Sequence, residues 1–446
     1  MTIAGSDSSG GSGVEADLKT FCALGVYGTC VVTSITAQNT KGVYEVFPAY
    51  HGIVKKQIEA VLDDIPIKSV KTGVLYSRQI MRVVSESIEK YGLKVVVDPV
   101  LRAGTGNSLI SENGLETLID LVLPKAYVLT PNIYEAEAIL KTQIKDIDAA
   151  KEAAQKIAEL GAEAVIVKGG HLISDEEKVY DVFYHNGKSR IFSKKRIAAN
   201  LHGCGCVFSA AITGYLALGA DLNEAVEKAE SFIEDAIRYS VKVGQGRIPV
   251  NPTMRLHEKA EMFDVINNIA KASEMIEAQP ELLPFIAEVG TQIAMAIPHA
   301  SSPEEVAAIE GRIVKFRERP KAVGSVRFGV SRHVASIILT AMRYNPQMRA
   351  ALNLHYDSKM VEAFRKAGFK VSSFDRRLEP SEVKSVEGRS IEWGVEEAIK
   401  HIGEAPDVIF DEGDFGKEPM IRVLGRSATE VVNKTLEALK HYLPCK

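Results

Sequence analysis

Short runs of apolar, β-branched residues alternate with longer amphipathic stretches from residue 1 to about residue 250. Continuous apolar runs at 31–37, 69–74, 94–100, 126–131 and 164–168 predict central strands covered on both faces. Between them, residues 14–24, 52–63, 77–90, 134–140 and 148–160 carry apolar side chains three and four apart, the spacing of helices with one buried stripe; 208–218 and 223–242 add two more. This alternation predicts βα units around a mainly parallel sheet, in which only residues 1–4 remain for the first strand.

The segment 244–252 (GQGRIPVNP) lacks periodicity and is rich in Gly and Pro, which places a boundary between a domain of residues 1–252 and one of 253–446. In the second, 256–278 reads as a helix with Phe263, Ile266, Ile269 and Ile276 on one face, and a helix over 304–316 carries Arg312. Strand-like 322–329, 351–356, 369–374, 407–410 and 420–424 interleave with helical 333–343, 359–366, 391–402 and 428–439, which predicts a second, smaller α/β domain.

Composition narrows the function classes. Apolar residues are 46% and charged residues 25%, the balance of a globular protein with large cores. Lys plus Arg is 54 against 58 for Asp plus Glu, so no basic field is available for nucleic acid or anionic lipid, and neither is expected as a partner. No apolar run reaches the roughly 18 residues of a membrane span, and residues 1–20 lack the basic-then-apolar order of a secretory signal; the cytoplasm is expected. Five cysteines (Cys22, Cys30, Cys204, Cys206 and Cys445) make no disulfide framework, and Cys204-Gly-Cys206 lacks the second ligand pair of a zinc site.

Gly203-Cys204-Gly205-Cys206 stands directly ahead of a helical stretch. Glycines let a ligand approach the backbone, and successive N–H groups at a helix start form a nest for a transferring phosphoryl group. The same position lowers a thiol's pKa, so Cys206 is a candidate general base or nucleophile; a packed turn with an inert thiol is the plainer alternative. Asn132 and Glu135, in TPNIYE at a strand-to-helix junction, suit the water shell of Mg²⁺ or an ordinary helix cap. Asp98, closing VVVDP, is a second metal candidate or a turn former. Lys168 ends another strand, where it neutralises nucleotide phosphates or is simply solvated. The opening AGSDSSGGSG leaves room for a flat ligand above the sheet and draws attention to Asp17 and Gln38. The Gln38 amide can donate to a pyrimidine ring nitrogen and accept from an exocyclic amine, although a surface glutamine is the commoner outcome.

Together and in order, TIAGSDSSGGSGVEADLKT, GVYGT, TAQNTKGV, KTGVL, VVDPV, TPNIYEAEAIL, VKGGH and HGCGCVFSAAI resemble the hydroxymethylpyrimidine and phosphomethylpyrimidine kinases of thiamine biosynthesis, over nearly all of residues 1–250. The resemblance implies a ribokinase-like three-layer α/β/α domain. It implies ATP- and Mg²⁺-dependent phosphorylation of 4-amino-5-hydroxymethyl-2-methylpyrimidine, first to the monophosphate and then to the diphosphate. Cys206 is then the catalytic base, and Gly5, Asp17, Gln38 and Val74 meet the pyrimidine. Lys168, Gly203, Cys204 and Gly205 meet the phosphates of ATP, while Asp98, Asn132 and Glu135 surround the metal, partly through water. The family usually has Thr where this chain has Cys204, so one hydroxyl donor is lost while the backbone nest stays. Sugar kinases of the superfamily carry aspartate where Cys206 stands; pyridoxal, also a flat ring bearing a hydroxymethyl group, is the nearest rival substrate. A homodimer is expected from the same resemblance.

In the second half, Arg312, residues 329–333 (GVSRH), Asp375-Arg376-Arg377 and residues 411–418 (DEGDFGKE) are polar clusters with cations for an anion and acids for Mg²⁺, or else solvated surface. EGRIVKF, FGVSRHVASIILTAMRYNP, FKVSSFDRR, IEWGVEEAI and DEGDFGKEPMIRVLG resemble the ThiN-type thiamine-phosphate synthase domain. This implies coupling of the pyrimidine diphosphate to thiazole phosphate with release of pyrophosphate. Arg312 and His333 are the catalytic positions, with Arg312 on the leaving diphosphate and His333 aiding ionisation or proton removal. An arginine expected in the segment NLHY is replaced by His355. Related domains act as ligand sensors in regulators, so a pyridoxal-type kinase fused to a sensing or dimerisation domain is the alternative.

Overall fold

Val70, Val95–Val97, Val128, Leu129 and Ala164–Val167 have no exposed surface, as continuous apolar strands require when helices cover both faces of a sheet. The computed structural model describes residues 1–104, 106–171, 177–197, 200–384, 389–414 and 416–442. The chain separates into two units, Met1–Leu256 and His257–Lys446. In chain order the first comprises β1 (Thr2–Ala4), α1 (Gly13–Ala23), β2 (Cys30–Val32), β3 (Ser34–Asn39), β4 (Gly42–Pro48), α2 (His51–Leu62), β5 (Val70–Thr72), α3 (Arg78–Tyr91), β6 (Val95–Val97), α4 (Gly114–Thr117), β7 (Val128–Leu129), α5 (Ile133–Leu140), α6 (Ile147–Glu159), β8 (Ala164–Val167), β9 (Lys178–His185), β10 (Lys188–Lys195), β11 (Leu201–His202), α7 (Cys204–Ala217), α8 (Leu222–Arg238) and β12 (Ile248–Pro249).

Eight of these strands form one sheet in the order β10-β9-β8-β7-β6-β5-β1-β2, parallel from β8 to β2 and closed at the other edge by the antiparallel β9 and β10. One face packs on α2, α3, α5 and α6, and the other on α1, α7 and α8, giving three layers. The run 31–37 is not a single strand. The chain leaves the sheet after β2, and β3 pairs with β4 as a separate antiparallel hairpin. Its burial alternates, with Ser34 and Thr36 turned inward and Ile35 and Ala37 outward, which is the pattern of a two-sided strand and not of a central one.

The helix α9 (Met254–Glu277) leads into the second unit, followed by β13 (Ile293–Ala296), β14 (Val306–Ile309), β15 (Ile313–Phe316), β16 (Arg319–Ala322), β17 (Val326–Phe328), α10 (Arg332–Tyr344), β18 (Ala350–His355), α11 (Ser358–Lys366), β19 (Val371–Ser373), α12 (Ser381–Lys384), α13 (Arg389–Ile402), β20 (Val408–Asp411), β21 (Met420–Gly425) and α14 (Ala428–Tyr442). Its seven-stranded sheet has the order β17-β14-β13-β18-β21-β20-β19, antiparallel except between β19 and β20. Residues from α9, α11 and α14 cover one face, and α10 and α13 the other.

Two expectations are corrected here. The helix over 304–316 does not form: 303–305 is a single short turn, and β14 and β15 follow. Positive φ at Gly311 (78°) and Arg312 (69°) breaks the chain there, and Arg312 sits in the turn between the two strands. The buried stripe of α9 is Val265, Ile269, Ala272 and Ile276, while Phe263 is 65% exposed. Cys22, Cys30, Cys204 and Cys206 are free thiols, and Cys445 lies outside the described residues. No helix among the described residues is long and apolar enough to cross a membrane.

The α9 stripe generates a contrast. Ile269→Ala, at a site with no exposed surface, is expected to destabilise the second unit by about 2–5 kcal/mol, and Phe263→Ala to change it by less than about 0.5 kcal/mol. Denaturant unfolding followed by Trp393, the single tryptophan of the chain, measures both.

Candidate active site

A cavity of about 1160 Å³ opens at the carboxyl ends of the parallel strands of the first unit. This is the edge at which such sheets expose residues that follow each strand: Gly5 after β1, Gly73 and Val74 after β5, Asp98 after β6, Asn132 after β7 and Lys168 after β8. The β3–β4 hairpin adds Ser34, Thr36 and Gln38, and the start of α7 adds Gly203, Cys204, Gly205 and Cys206. Gly203 caps α7 at φ 86°, and a Cβ there would lie 1.9 Å from the Gly11 carbonyl oxygen, so no other residue lets the loop after β1 and the helix start meet. A Cβ on Gly205 would come within 3.0 Å of Lys168 Nζ and 3.5 Å of Asp98 Oδ2, so the first turn of α7 faces that ion pair directly.

Lys168 Nζ donates to Asp98 Oδ1 at 2.9 Å, and Thr130 Oγ1 donates to the same oxygen at 3.3 Å. Burial pushes the Lys168 ammonium down, but Asp98 and Glu135 outweigh it and hold its pKa above the ordinary lysine value. Asn132 and Glu135 form a capping box on α5: Glu135 N–H donates to Asn132 Oδ1 (2.9 Å) and Asn132 N–H to Glu135 Oε2 (2.7 Å). Burial, reinforced by the charge of Asp98, raises Glu135 to about 7 although Lys168 opposes it. Among the described residues no group of three or more His, Cys, Asp or Glu could hold a metal ion by itself. Asp98 and Glu135 are oxygen donors suited to an ion that retains water and takes further oxygens from a ligand.

Asp17 does not line the cavity. It lies behind it on α1 with no exposed surface, accepting from Lys71 Nζ at 2.8 and 3.0 Å and from Thr2 Oγ1 at 2.6 Å. Its carboxylate is committed to a lysine, and Lys71 is the residue of the pair that reaches the cavity. A lysine inside the apolar strand SVKTGV was the available signal for it. Cys206 also departs from expectation. Burial pushes its thiol up to about 11, against the opposing pull of Lys71, so the helix start alone does not make it a thiolate. Burial likewise lifts Cys204 to about 11.

Gln38 Nε2 lies 3.2 Å from His202 Nε2, which lies 3.0 Å from Asp7 Oδ2. Burial pushes Asp7 up, but hydrogen bonds from His202, Ser9 and Ser12 outweigh it and hold the carboxyl well below the usual range. Asp7 and His202 therefore fix the approach of Gln38 to the cavity, and motif reading missed both, since each stands in a segment noted for its glycines.

In the second unit, Arg312 is exposed and donates through Nη1 to the Val289 carbonyl, while His333 opens α10. The His333 side chain is exposed, yet partial desolvation of its ring by the surrounding protein, with the guanidiniums of Arg422, Arg376 and Arg312, pushes the imidazole down to about 4, against Asp411. His355 Nδ1 lies 3.1 Å from Glu418 Oε1, which also accepts from the Glu288 N–H. Lys417 lies 3.5 Å from Glu379, and Phe415 of the same cluster lies outside the described residues.

The raised pKa of Glu135 carries a pH signature. Between about 4.5 and about 7 the folded chain holds a proton that the unfolded chain releases, so stability present below 4.5 falls as pH rises through 7. Glu135→Gln retains an oxygen acceptor for the Asn132 N–H and is expected to lose this decline. Urea-dependent hydrogen exchange of first-unit peptides at pH 5 and pH 8 measures it.

Residues 7–251 match the phosphomethylpyrimidine kinase family model, and residues 268–437 that of thiamine-phosphate synthase ThiN. The bifunctional thiamine biosynthesis protein ThiDN of Methanocaldococcus jannaschii is 37% identical over 444 residues, covering 99% of this chain and 98% of that one. The hydroxymethylpyrimidine/phosphomethylpyrimidine kinase of Bacillus subtilis is 38% identical over 253 residues, 56% of this chain and 93% of that one. An ADP complex of Bacillus subtilis pyridoxal kinase superposes with a TM-score of 0.54 at 37% identity, covering 57% of this chain and 97% of that one. With both models matched in this order and a relative aligned along almost its whole length, the chain belongs to the phosphomethylpyrimidine kinase family and carries a ThiN domain in the same polypeptide.

Proposed function

We propose that the chain makes thiamine phosphate in successive reactions. The first unit uses ATP to phosphorylate 4-amino-5-hydroxymethyl-2-methylpyrimidine to its mono- and diphosphate. The second couples that diphosphate to thiazole phosphate, releasing pyrophosphate. One observation carries the kinase reading: a single cavity holds the start of α7 with Cys206, the amide of Gln38, and the Asp98–Lys168 pair.

In this reading the γ-phosphoryl group lies over the N–H groups of residues 203–206, where charge developing on its oxygens is stabilised by the helix start. With Cys206 in its thiolate form, its own proton having first passed to solvent, the carbinol oxygen attacks the γ-phosphorus, its proton passes to Sγ, and the bond to the bridging oxygen of ADP breaks. Buried Lys71 supplies the positive charge that stabilises this thiolate before the transfer, against the burial that keeps its population small. Lys168 meets the phosphates, and Gln38 and Val74 meet the ring above Gly5. Mg²⁺ fits the Asp98–Glu135 donor pair, which lacks a full protein ligand set and is held close to Lys168; when bound it neutralises phosphate charge. Pyridoxal is the competing substrate because the Bacillus subtilis relative is a pyridoxal kinase. The amide of Gln38 favours an aminopyrimidine.

We also infer a homodimer. The outer face of the β3–β4 hairpin pairs Ile35 (57% exposed) with Phe47 (67% exposed), next to Tyr44 and Tyr50, an apolar patch suited to a second copy. An ATP-dependent biosynthetic enzyme of this kind belongs in the cytoplasm.

The test supplies the full chain with the pyrimidine alcohol, ATP, Mg²⁺ and thiazole phosphate and identifies each phosphorylated product by mass spectrometry. Monophosphate, diphosphate and thiamine phosphate are expected in that order; absence of thiamine phosphate when diphosphate accumulates would refute the synthase half. Cys206→Ala is expected to slow the first phosphorylation by about 10²–10⁴-fold. The second should be spared by comparison, because the attacking oxygen of a phosphate monoester, with a second pKa near 6, is already ionised at neutral pH. Equal losses in both steps would assign the thiol another role.

A further inference from the structure

One polar residue from each of five neighbouring strands or strand ends crosses the α10–α13 side of the second unit's sheet. They are Gln292 ahead of β13, Asn353 in β18, Arg422 in β21, Asp411 ending β20, and Arg376 just after β19. All are 7% exposed or less. The row is hydrogen-bonded at both ends and paired across the ladder between them. Gln292 N–H donates to Asn353 Oδ1 at 2.6 Å, and Asn353 stands opposite Arg422 in the ladder. Arg422 Nη1 donates to Asp411 Oδ2 at 2.7 Å, and Arg376 donates to both oxygens of the same carboxylate, through Nε at 2.5 Å and Nη2 at 3.3 Å. Phe374 lies beneath both guanidiniums, 5.3 and 5.4 Å from its ring centroid.

The charges do not balance. Two buried guanidiniums share one carboxylate, and Arg422 Nη2 is buried with no hydrogen-bond partner. Leaving a charged donor unpaired in the interior costs several kcal/mol, so an uncompensated cation here calls for an explanation other than stability. The thirteen-residue α10, in whose first turn His333 stands, packs on this same face of the sheet, and Arg312 lies in the β14–β15 turn, next to which Gln292 of the row donates to the Ile309 carbonyl at 2.8 Å. The charged groups acting on His333 are Arg422 of β21, Arg376 after β19, Arg312, and Asp411 of β20. Three cations and one anion therefore act on one imidazole.

We propose that Arg422 and Arg376, bridged by Asp411, form the positive floor of a diphosphate-recognition site whose exposed wall is Arg312, His333 and the start of α10. The proposal rests on the synthase reading and names positions beyond the two catalytic ones. Arg422 and Arg376 are positioning residues: their excess charge draws the anionic end of the substrate under α10, and the same charge disfavours protonation of the His333 imidazole.

Arg422→Met leaves Asp411 paired one-to-one with Arg376, and Arg376→Met leaves the same balance with Arg422. Each variant is therefore expected to fold with a melting temperature equal to or above that of the wild type, and to bind inorganic pyrophosphate on the order of tenfold more weakly or worse in calorimetric titration of the full chain. In the same variants the His333 pKa, read from its ring proton resonances, is expected to rise. A purely structural pair would lower the melting temperature and leave pyrophosphate affinity unchanged. Affinity within twofold of wild type in both variants, no pyrophosphate binding by the wild type, or unfolding of both variants overturns the proposal. Thiamine phosphate formation by the wild-type chain from supplied diphosphate is measured in parallel. Its absence refutes the synthase reading itself, whereas product with unchanged variant affinities refutes this site alone.

Discussion

Lys71 and Asp17 are both wholly buried, and the first unit is arranged around that pair. Removing one partner from a buried ion pair typically costs about 3–5 kcal/mol, because the other charge is then stranded. The pair links α1 to β5 at the level where the cavity begins, with Thr2 of β1 supplying a third hydrogen bond. Its position also matters chemically. Lys71 is the cation that opposes the effect of burial on Cys206. Without it, burial would suppress the thiolate further, whatever the helix start contributes. The Asp98–Lys168 pair repeats the arrangement on the next side of the helix start, this time with Glu135 adding a second carboxylate.

The second unit reverses the balance. There a single carboxylate, Asp411, serves two arginines, and the surplus is positive. The two units thus differ in how buried charge is matched: in the first, Asp17 and Asp98 each meet a lysine, while in the second one carboxylate is shared by two guanidiniums.

Much of this was legible in the chain itself. The βα alternation, the central strands and the residues at their carboxyl ends could be read because a parallel sheet covered on both faces demands continuous apolar runs, and because loops after strands carry exposed chemistry. What resisted reading were elements whose signal is weaker. The β3–β4 hairpin and the β9–β10 edge mix polar and apolar residues, and the stretch around Arg312 looked helical because nothing local announces a positive φ at a non-glycine residue. The resemblance puts Asp17 at the substrate, but Asp17 is the buried partner of Lys71, since spacing along a helix cannot tell which of two paired charges faces a cavity. The thiol of Cys206 was expected to ionise readily at a helix start, but the depth of a recess is a tertiary property.

The hairpin formed by β3 and β4 is one layer thick. Ser34, Thr36 and Gln38 line the cavity on one side, and Ile35 and Phe47 face outward on the other. Whatever covers the outer side therefore stands one backbone away from whatever occupies the inner one. Thermodynamic linkage makes such an arrangement reciprocal: if subunit contact stiffens the ribbon, it favours occupancy, and occupancy favours contact by the same factor. If two copies pair through this face, ligand affinity in this unit becomes a function of protein concentration.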